Sequence, residues 1–170
     1  ALENLFLKNF YVKSPYRIHS VDISHVDFTE ITSLKKLFDN CAQVSEIILP
    51  APGTKTPVLK NISGLFYNCQ SLKAADLRWI DSKVLEDISD LFKYCYALES
   101  VDLSSICTDH VTNMANTFYI CKSLKELDVR HFKTSNVTDF TGMFSSCTGL
   151  TALDVTGFDT SNATSMTTMF

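Results

Sequence analysis

The sequence predicts an α/β solenoid, a right-handed superhelix with a parallel sheet on its concave face and short helices on its convex face. The first observation is a period of 26 residues, with a single step of 28, in one column of phenylalanines. The column comprises Phe38, Phe66, Phe92, Phe118, Phe144 and Phe170. A fixed period of this size is typical of stacked repeats that bury a core together. The second observation is that the two halves of each repeat have different apolar spacings.

The first half of each repeat has the pattern of a short strand. Leu127 and Val129 are apolar and alternate with the acidic residues Glu126 and Asp128. This period of two is that of a strand with one buried face. Six repeats can be counted by the first inward residue of this strand, which is in turn Val21, Ile47, Ala75, Val101, Leu127 and Leu153.

The second half of each repeat has the pattern of a short helix. Spacings of three and four predict one apolar helix face, and in the fifth repeat they join Val137, Phe140, Met143, Phe144 and Cys147. Ser135 is a candidate N-cap. Packed helices need about 8–10 Å, whereas stacked strands need about 4.8 Å. The strands are therefore expected to line the concave face.

The repeats divide the chain into two parts. Residues 1–19 do not match the repeat and are expected to be an N-terminal capping segment, because terminal repeats need a cover. Residues 20–170 are expected to form the solenoid of about six 26-residue coils. The chain ends at Phe170 inside a predicted helical half. We expect the natural protein to continue with further coils, or otherwise to self-associate through its open last coil.

Composition and motifs exclude several classes of function. The net charge is −4, with no basic run and no evident cluster of aromatic and basic residues, which argues against nucleic acid as a partner. No apolar run is long enough to insert in a membrane. The chain has no zinc-protease motif, no phosphate-binding loop and no nucleophile elbow. We therefore expect no enzymatic activity, no cofactor and no metal.

Five of the six cysteines occupy one column, at Cys41, Cys69, Cys95, Cys121 and Cys147. A disulfide needs Cα atoms closer than about 7 Å. If the column lies on the helix side, its neighbours are about 8–10 Å apart. We therefore expect all six thiols to be free and the column to be buried. Cys107 lies outside the column, and Cys107 with His110 is too small a set for a zinc site.

The pattern also resembles a known family. Leu124, Leu127 and Val129 are spaced as in the strand segment of leucine-rich repeats. The fuller pattern from Phe158 to Phe170, FDTSNATSMTTMF, resembles the BspA-like family of bacterial surface proteins, which has relatives among mycoplasma and lactobacillal surface repeats. The resemblance implies a leucine-rich-repeat-like fold, secretion or attachment to the bacterial cell surface, and adhesion to host or partner proteins.

A column of aspartates is the most informative polar feature. Asp76, Asp102, Asp128 and Asp154 lie between the inward residues of successive strands and should point outward. One interpretation is an acidic stripe that binds a basic peptide, a protein patch or a cation. The other is a solvated ladder relieved by Arg78, Arg130 and neighbouring hydroxyl groups. Adjacent carboxylates should repel by roughly 1 kcal/mol each, so neutralising them should stabilise the fold.

Two further candidates follow the aspartates. Trp79 and His131 occupy one column at the strand exits. An exposed tryptophan beside Arg78 could anchor a partner, because Trp and Arg dominate binding hot spots. The alternative is that Trp79 folds over the strand edge.

These observations predict a non-enzymatic protein-binding or adhesion module of a bacterial surface or secreted protein, which binds through its concave face. The proposed ligand-binding residues are Asp76, Asp102, Asp128, Asp154, Arg78, Trp79, Arg130 and His131. The alternative is a passive structural spacer, a repeat stalk that presents another domain.

Overall fold

The computed structural model of the protein describes residues 19–170. It contains four strands of three residues: β1 (Ser20–Asp22), β2 (Glu46–Ile48), β3 (Ala74–Asp76) and β4 (Ser100–Asp102). β1 pairs in parallel with β2, and β3 pairs in parallel with β4, in two separate sheets. The expected capping segment, residues 1–19, lies outside the described residues apart from His19.

The predicted α/β solenoid is wrong. No helix forms anywhere in residues 19–170, and the strands make two two-stranded sheets instead of one continuous parallel sheet. The leucine-rich-repeat-like arrangement of a concave sheet and convex helices is therefore not the fold of this chain. In the part of the chain that the structure describes, no helix is long and apolar enough to cross a bilayer.

The segments that were predicted to be helical form rows of turns that hydrogen-bond to the next repeat. In a helix each N–H would bond within its own segment. Here alternate N–H groups donate to carbonyls one repeat further along the chain, at 2.7–3.2 Å. In the first repeat these bonds join Leu34 to Asn61, Lys36 to Ser63, Phe38 to Leu65 and Asn40 to Tyr67. Between them, tight turns such as Leu37 N–H to the Leu34 carbonyl fold the chain locally.

Left-handed backbone conformations explain why no helix forms. Each complete row of turns has two residues with positive φ, four positions apart, and a right-handed helix cannot contain them. The first of the two positions is occupied by Lys36, Gly64, Asp90, Asn116, Gly142 and Thr168, and the second by Asn40, Asn68, Tyr94, Ile120 and Ser146. Six of these eleven residues are Gly, Asn or Asp, the types that accept this conformation most easily.

The core is built around the phenylalanine column. Consecutive rings from Phe38 to Phe144 are stacked with centroids 5.2–5.9 Å apart and planes within 14° of parallel. The five rings are buried. This separation is far below the 8–10 Å expected of packed helices, because a backbone ladder sets it. Single parallel bridges, 26 or 28 residues apart, continue that ladder from Ser33 through Asn61, Asp87, Asn113 and Asp139 to Ser165.

All six cysteines are free, as the sequence predicted. Thiols in the column donate to phenylalanine carbonyls of the preceding repeat, as Cys95 Sγ does to Phe66 O at 3.0 Å. Burial raises the pKa of Cys41 to about 12 and that of Cys147 to about 11. The column is buried from Cys41 to Cys121, and Cys147 is half-buried.

Candidate functional site

A groove of about 850 Å³ crosses the strand positions of the fourth, fifth and sixth repeats. Its floor is apolar and includes Val101, Leu127 and Leu153, which are partly buried against the core. Its rim carries the carboxylates Asp102, Asp128, Asp154 and Glu126, together with Arg130 and His131. We call this feature the acidic groove. Four carboxylates against one guanidinium leave it strongly negative.

The groove includes β4, the last strand of the described residues, and the strand positions of the two repeats that follow it. Leu77 N–H donates to the Asp102 carbonyl at 2.9 Å and joins the third repeat to the fourth. The equivalent bond from Leu103 to the Asp128 carbonyl is not formed within the described residues. On the phenylalanine side, by contrast, the bridges Asn113↔Asp139 and Asp139↔Ser165 continue through the same repeats. Backbone bridges thus hold these repeats together on the phenylalanine side, whereas the described residues form no strand at the strand positions of the fifth and sixth repeats.

Each aspartate of the column also shapes its own turn. Its Oδ1 atom accepts a hydrogen bond from the backbone N–H two residues later, at 2.8–3.1 Å. The pairs are Asp22 with Ser24, Asp76 with Arg78, Asp102 with Ser104, Asp128 with Arg130, and Asp154 with Thr156. Such Asx turns are a frequent use of aspartate at the end of a strand. The recurrence of this residue is therefore partly explained by local structure.

Hydrogen bonds and counter-charges keep the column ionised. The Arg78 guanidinium lowers the pKa of Asp76, and the Arg130 guanidinium holds the pKa of Asp128 far below its ordinary range. Hydrogen bonds from Ser104 lower the pKa of Asp102, with a further contribution from Arg78. A lowered pKa means that the folded state favours the charged form. These directions argue against the expectation that neutralising the column stabilises the fold.

The hydroxyl of Thr156 does the same for Asp154. It donates to Oδ1 at 2.7 Å and lowers the pKa of that carboxyl. Repulsion from Asp128 acts in the opposite direction and is the smallest contribution. At neutral pH these carboxylates are charged acceptors, which suits them to ion pairing with a cationic partner.

The predicted site residues are only partly brought together. Asp102, Asp128, Asp154, Arg130 and His131 all line the groove. Asp76 and Arg78 lie beside it and are connected to it, because the Arg78 Nε atom is 3.3 Å from Asp102 Oδ2.

Trp79 is not part of the accessible surface. Its side chain is 1% exposed, and its ring lies 5.0 Å from the ring of Phe28. The indole Nε1 is buried and has no hydrogen-bond partner among the described residues. Because Trp79 is buried, it cannot serve as the exposed anchor that one of the two interpretations required.

His131 is exposed, and it supplements the interrupted ladder. Its Nε2 atom lies 3.1 Å from the Leu103 carbonyl oxygen. One repeat earlier, the Ser105 hydroxyl donates to the Leu77 carbonyl in the equivalent position. Side chains at these two strand exits thus hydrogen-bond to backbone carbonyls of the preceding repeat.

Sequence reasoning missed the floor of the groove and a second cluster. Lys93 Nζ lies 5.4–5.9 Å from the ring centroids of Tyr67, Tyr94 and Tyr119 and 3.1 Å from Asp90 Oδ1. The fold thus assembles aromatic and basic residues that are dispersed in the sequence. Because the Lys93 side chain is only 19% exposed and already paired, this cluster is a packing feature.

Across residues 19–170, no three His, Cys, Asp or Glu side chains are arranged to hold a metal ion.

Comparison with known protein families gives a match. The sequence profile of the family described as "Mycoplasma protein of unknown function, DUF285" matches residues 4–99 and, again, residues 60–170. Together the two matches span nearly the whole chain, as expected of a repeat family. No curated protein matches the chain.

Proposed function

Since the chain belongs to the DUF285 repeat family of Mycoplasma, we propose that it is a non-enzymatic binding module that holds a basic protein partner in the acidic groove. The module would belong to a bacterial protein that is secreted or displayed at the cell surface. The more specific resemblance to BspA-like surface proteins is part of this proposal, and it suggests adhesion to a host or partner protein.

The observation that carries the proposal is the combination of an apolar floor and a negative rim in one groove. Val101, Leu127 and Leu153 provide apolar surface that a partner could bury. Asp102, Asp128 and Asp154 surround it with charges that favour a cationic partner. Apolar contact gives affinity, while complementary charge gives specificity and speeds association.

The electrostatics of the groove also favour binding over catalysis. A general acid or base works best with a pKa near the working pH. The carboxyl pKa values of Asp102, Asp128 and Asp154 are instead lowered from an already acidic ordinary value. Such groups stay charged at neutral pH and are poor proton donors, whereas they are well suited to pair with lysine or arginine.

The test is capture of host extracellular proteins by the wild-type chain and by two matched double variants. Asp102→Asn with Asp128→Asn removes two groove charges but keeps a side-chain oxygen for each Asx turn. Asp27→Asn with Asp159→Asn is the control, because both carboxylates accept turn N–H groups at 2.9 Å and neither lines the groove.

We expect a partner that binds to the wild type and to the control but does not bind to the groove variant. Equal capture by all three proteins would overturn the groove assignment. Capture of nothing by the wild type would favour the alternative of a passive structural spacer. Circular dichroism and thermal unfolding should show that both variants fold.

A further inference from the structure

One guanidinium of the chain already bridges two successive carboxylates of the aspartate column. The Arg78 Nη2 atom lies 2.6 Å from Oδ2 of Asp76, and its Nε atom lies 3.3 Å from Oδ2 of Asp102 in the next repeat. The Nε atom also donates to Oδ1 of Asp76 at 3.0 Å. A guanidinium holds five donors in a fixed planar fork, whereas a lysine ammonium is a compact point charge. The spacing of two neighbouring aspartates in the column therefore suits an arginine.

The following step of the column, from Asp102 to Asp128, has a serine where the preceding step has its arginine. Ser104 corresponds to Arg78 one repeat earlier. The local backbone is alike at the two positions, because the N–H of each donates to the carboxylate two residues before it, at 3.0 and 2.9 Å. A serine carries no charge, so this position supplies no cation to either carboxylate.

The arginines of the column serve the steps on either side. The Arg130 guanidinium is 2.7 Å from Asp128 of its own repeat. In addition to the hydrogen bonds from Thr156, the charge of Arg130 lowers the pKa of Asp154 in the next repeat. Within residues 19–170, no arginine or lysine forms an ion pair that joins Asp102 to Asp128.

The two carboxylates of this step are held in the same register as those of the preceding step. Before them, Lys125 N–H donates to the Glu99 carbonyl at 3.4 Å. After them, the His131 Nε2 atom lies 3.1 Å from the Leu103 carbonyl oxygen. The equivalent contacts of the preceding step join Glu99 to Lys73 at 2.8 Å and Ser105 to Leu77 at 3.0 Å. The arrangement that Arg78 bridges is thus repeated one step along the column.

This step also opens into the acidic groove. Asp102, Ser104 and Asp128 all line the groove, together with the apolar Val101 and Leu127. An arginine buries its aliphatic stem along apolar surface while its charged end pairs with an acceptor. An ionised carboxylate has about four lone-pair sites, so Asp102 and Asp128 can accept further hydrogen bonds beside those they already make.

We propose that the partner inserts an arginine side chain between Asp102 and Asp128. Its guanidinium bridges these two carboxylates as Arg78 bridges the preceding pair, and the residues next to that arginine are apolar and contact the groove floor. This inference rests on the proposed function and names the chemistry of its ligand. The pairing made by Arg78 selects a guanidinium over an ammonium, and Ser104 selects this step of the column.

The test uses the full chain and two dye-labelled pentapeptides with blocked termini. Each has the sequence glycine-leucine-X-leucine-glycine, in which the central residue X is arginine or lysine. Because the peptides carry the same charge and the same apolar residues, a difference between them reports the fork of donors. Fluorescence anisotropy should show about tenfold tighter binding of the arginine peptide, a difference of about 1.4 kcal/mol. The groove variant Asp102→Asn with Asp128→Asn should lose this preference.

A second variant, Ser104→Arg, keeps both carboxylates and fills the step from within the chain. Its own guanidinium should occupy Asp102 and Asp128, as Arg78 does one step earlier, and exclude the arginine of the peptide. Binding of the arginine peptide should therefore weaken about tenfold, to the level of the lysine peptide. Thermal unfolding should show that this variant folds.

Two controls separate the step from the added charge. Thr156→Arg adds the same charge inside the groove, but beside Asp154. It should weaken both peptides by a similar factor and preserve the preference for arginine. Ser24→Arg adds the charge at the equivalent position of the first repeat, outside the groove, and should leave the binding of both peptides as in the wild type.

The outcomes separate this inference from the proposed function. Loss of the arginine preference in Ser104→Arg but not in Thr156→Arg supports the site. Equal affinities of the two peptides for the wild type, or the same loss in both of these variants, would overturn the arginine site and leave the groove as a binding site for positive charge. If neither peptide binds, the arginine site also falls, and protein capture by the groove variant decides the proposed function separately.

Discussion

Arg78 links two repeats, since its Nε atom lies 3.3 Å from Oδ2 of Asp102 in the next repeat. Its Nη2 atom is also 2.6 Å from Oδ2 of Asp76 in its own repeat. One guanidinium thus offsets the repulsion between two stacked carboxylates. The side chains are almost half exposed, so the contribution to stability is modest.

The aspartate column predicts loss of stability in acid. Because the folded-state pKa values of Asp76, Asp102, Asp128 and Asp154 are lowered, their contribution is complete above the ordinary aspartate pKa of about 3.9. It is lost as the pH falls from there through the folded-state values. Thermal unfolding followed from neutral pH down to about pH 2 should show this decline.

The matched control for this prediction is the variant Asp102→Asn with Asp128→Asn. Two of its column positions no longer titrate, so its melting temperature should fall less over the same pH range. If the wild type and the variant lost stability in parallel, the column would not be the source of the acid sensitivity.

The phenylalanine column predicts a large effect of a single truncation. Phe92 is fully buried and stacks between Phe66 and Phe118, at 5.2 and 5.9 Å. Replacing it with alanine should lower the free energy of unfolding by about 3–5 kcal/mol, because the cavity interrupts the stack. Urea denaturation measures this directly. A loss below about 1 kcal/mol would mean that the repeats do not depend on the stack.

The left-handed positions predict that one substitution stabilises the fold. Ile120 is β-branched and has φ of 62°, whereas the equivalent residues Asn40 and Asn68 belong to a type that accepts this conformation. Ile120→Asn should raise the free energy of unfolding by roughly 0.5–1 kcal/mol, since left-handed strain costs about 1–2 kcal/mol and some burial is lost.

The reciprocal change is the control. Asn68→Ile introduces the same strain at φ of 58° and removes the hydrogen bond from Asn68 Nδ2 to Asn40 Oδ1, which is 2.7 Å long. It should therefore destabilise the protein by about 2 kcal/mol. Chemical denaturation measures the free energy of unfolding of both variants, which should rise for Ile120→Asn and fall for Asn68→Ile.

The cysteine column predicts slow thiol chemistry in the folded state. Burial raises the pKa values of Cys69, Cys95 and Cys121 well above the ordinary value, so little reactive thiolate forms. A thiol reagent without reductant should find six groups in denaturant. In native buffer the half-buried Cys107 and Cys147 should react first. Fewer than six in denaturant would show that some thiols are oxidised.

Part of this molecule could be predicted from its sequence, because residues in register share an environment. The phenylalanine and cysteine columns, and the aspartates at the strand ends, all follow from the 26-residue period. The helices were wrongly predicted because spacings of three and four, as at Val137, Phe140 and Met143, fit a row of tight turns equally well. The signal against a helix was the recurrence of Gly, Asn and Asp at positions such as Gly64 and Asn116.

The groove could not be predicted in the same way. It depends on which strand positions form strands, and Leu103 looks like Leu77 in the sequence although, within the described residues, only the Leu77 N–H finds a backbone partner in the next repeat. The burial of Trp79 likewise depends on its contact with Phe28, which is distant from it in the sequence. Such features follow from packing between repeats and not from the pattern within one repeat.

The most direct test of the account is the dissociation constant of a captured partner, measured by isothermal titration calorimetry against three proteins. For the groove variant Asp102→Asn with Asp128→Asn, the account predicts binding at least about tenfold weaker than for the wild type. The control Asp27→Asn with Asp159→Asn should bind within about twofold of the wild type, and added salt should weaken binding. Equal dissociation constants for all three proteins would contradict the claim that the acidic groove is the binding site.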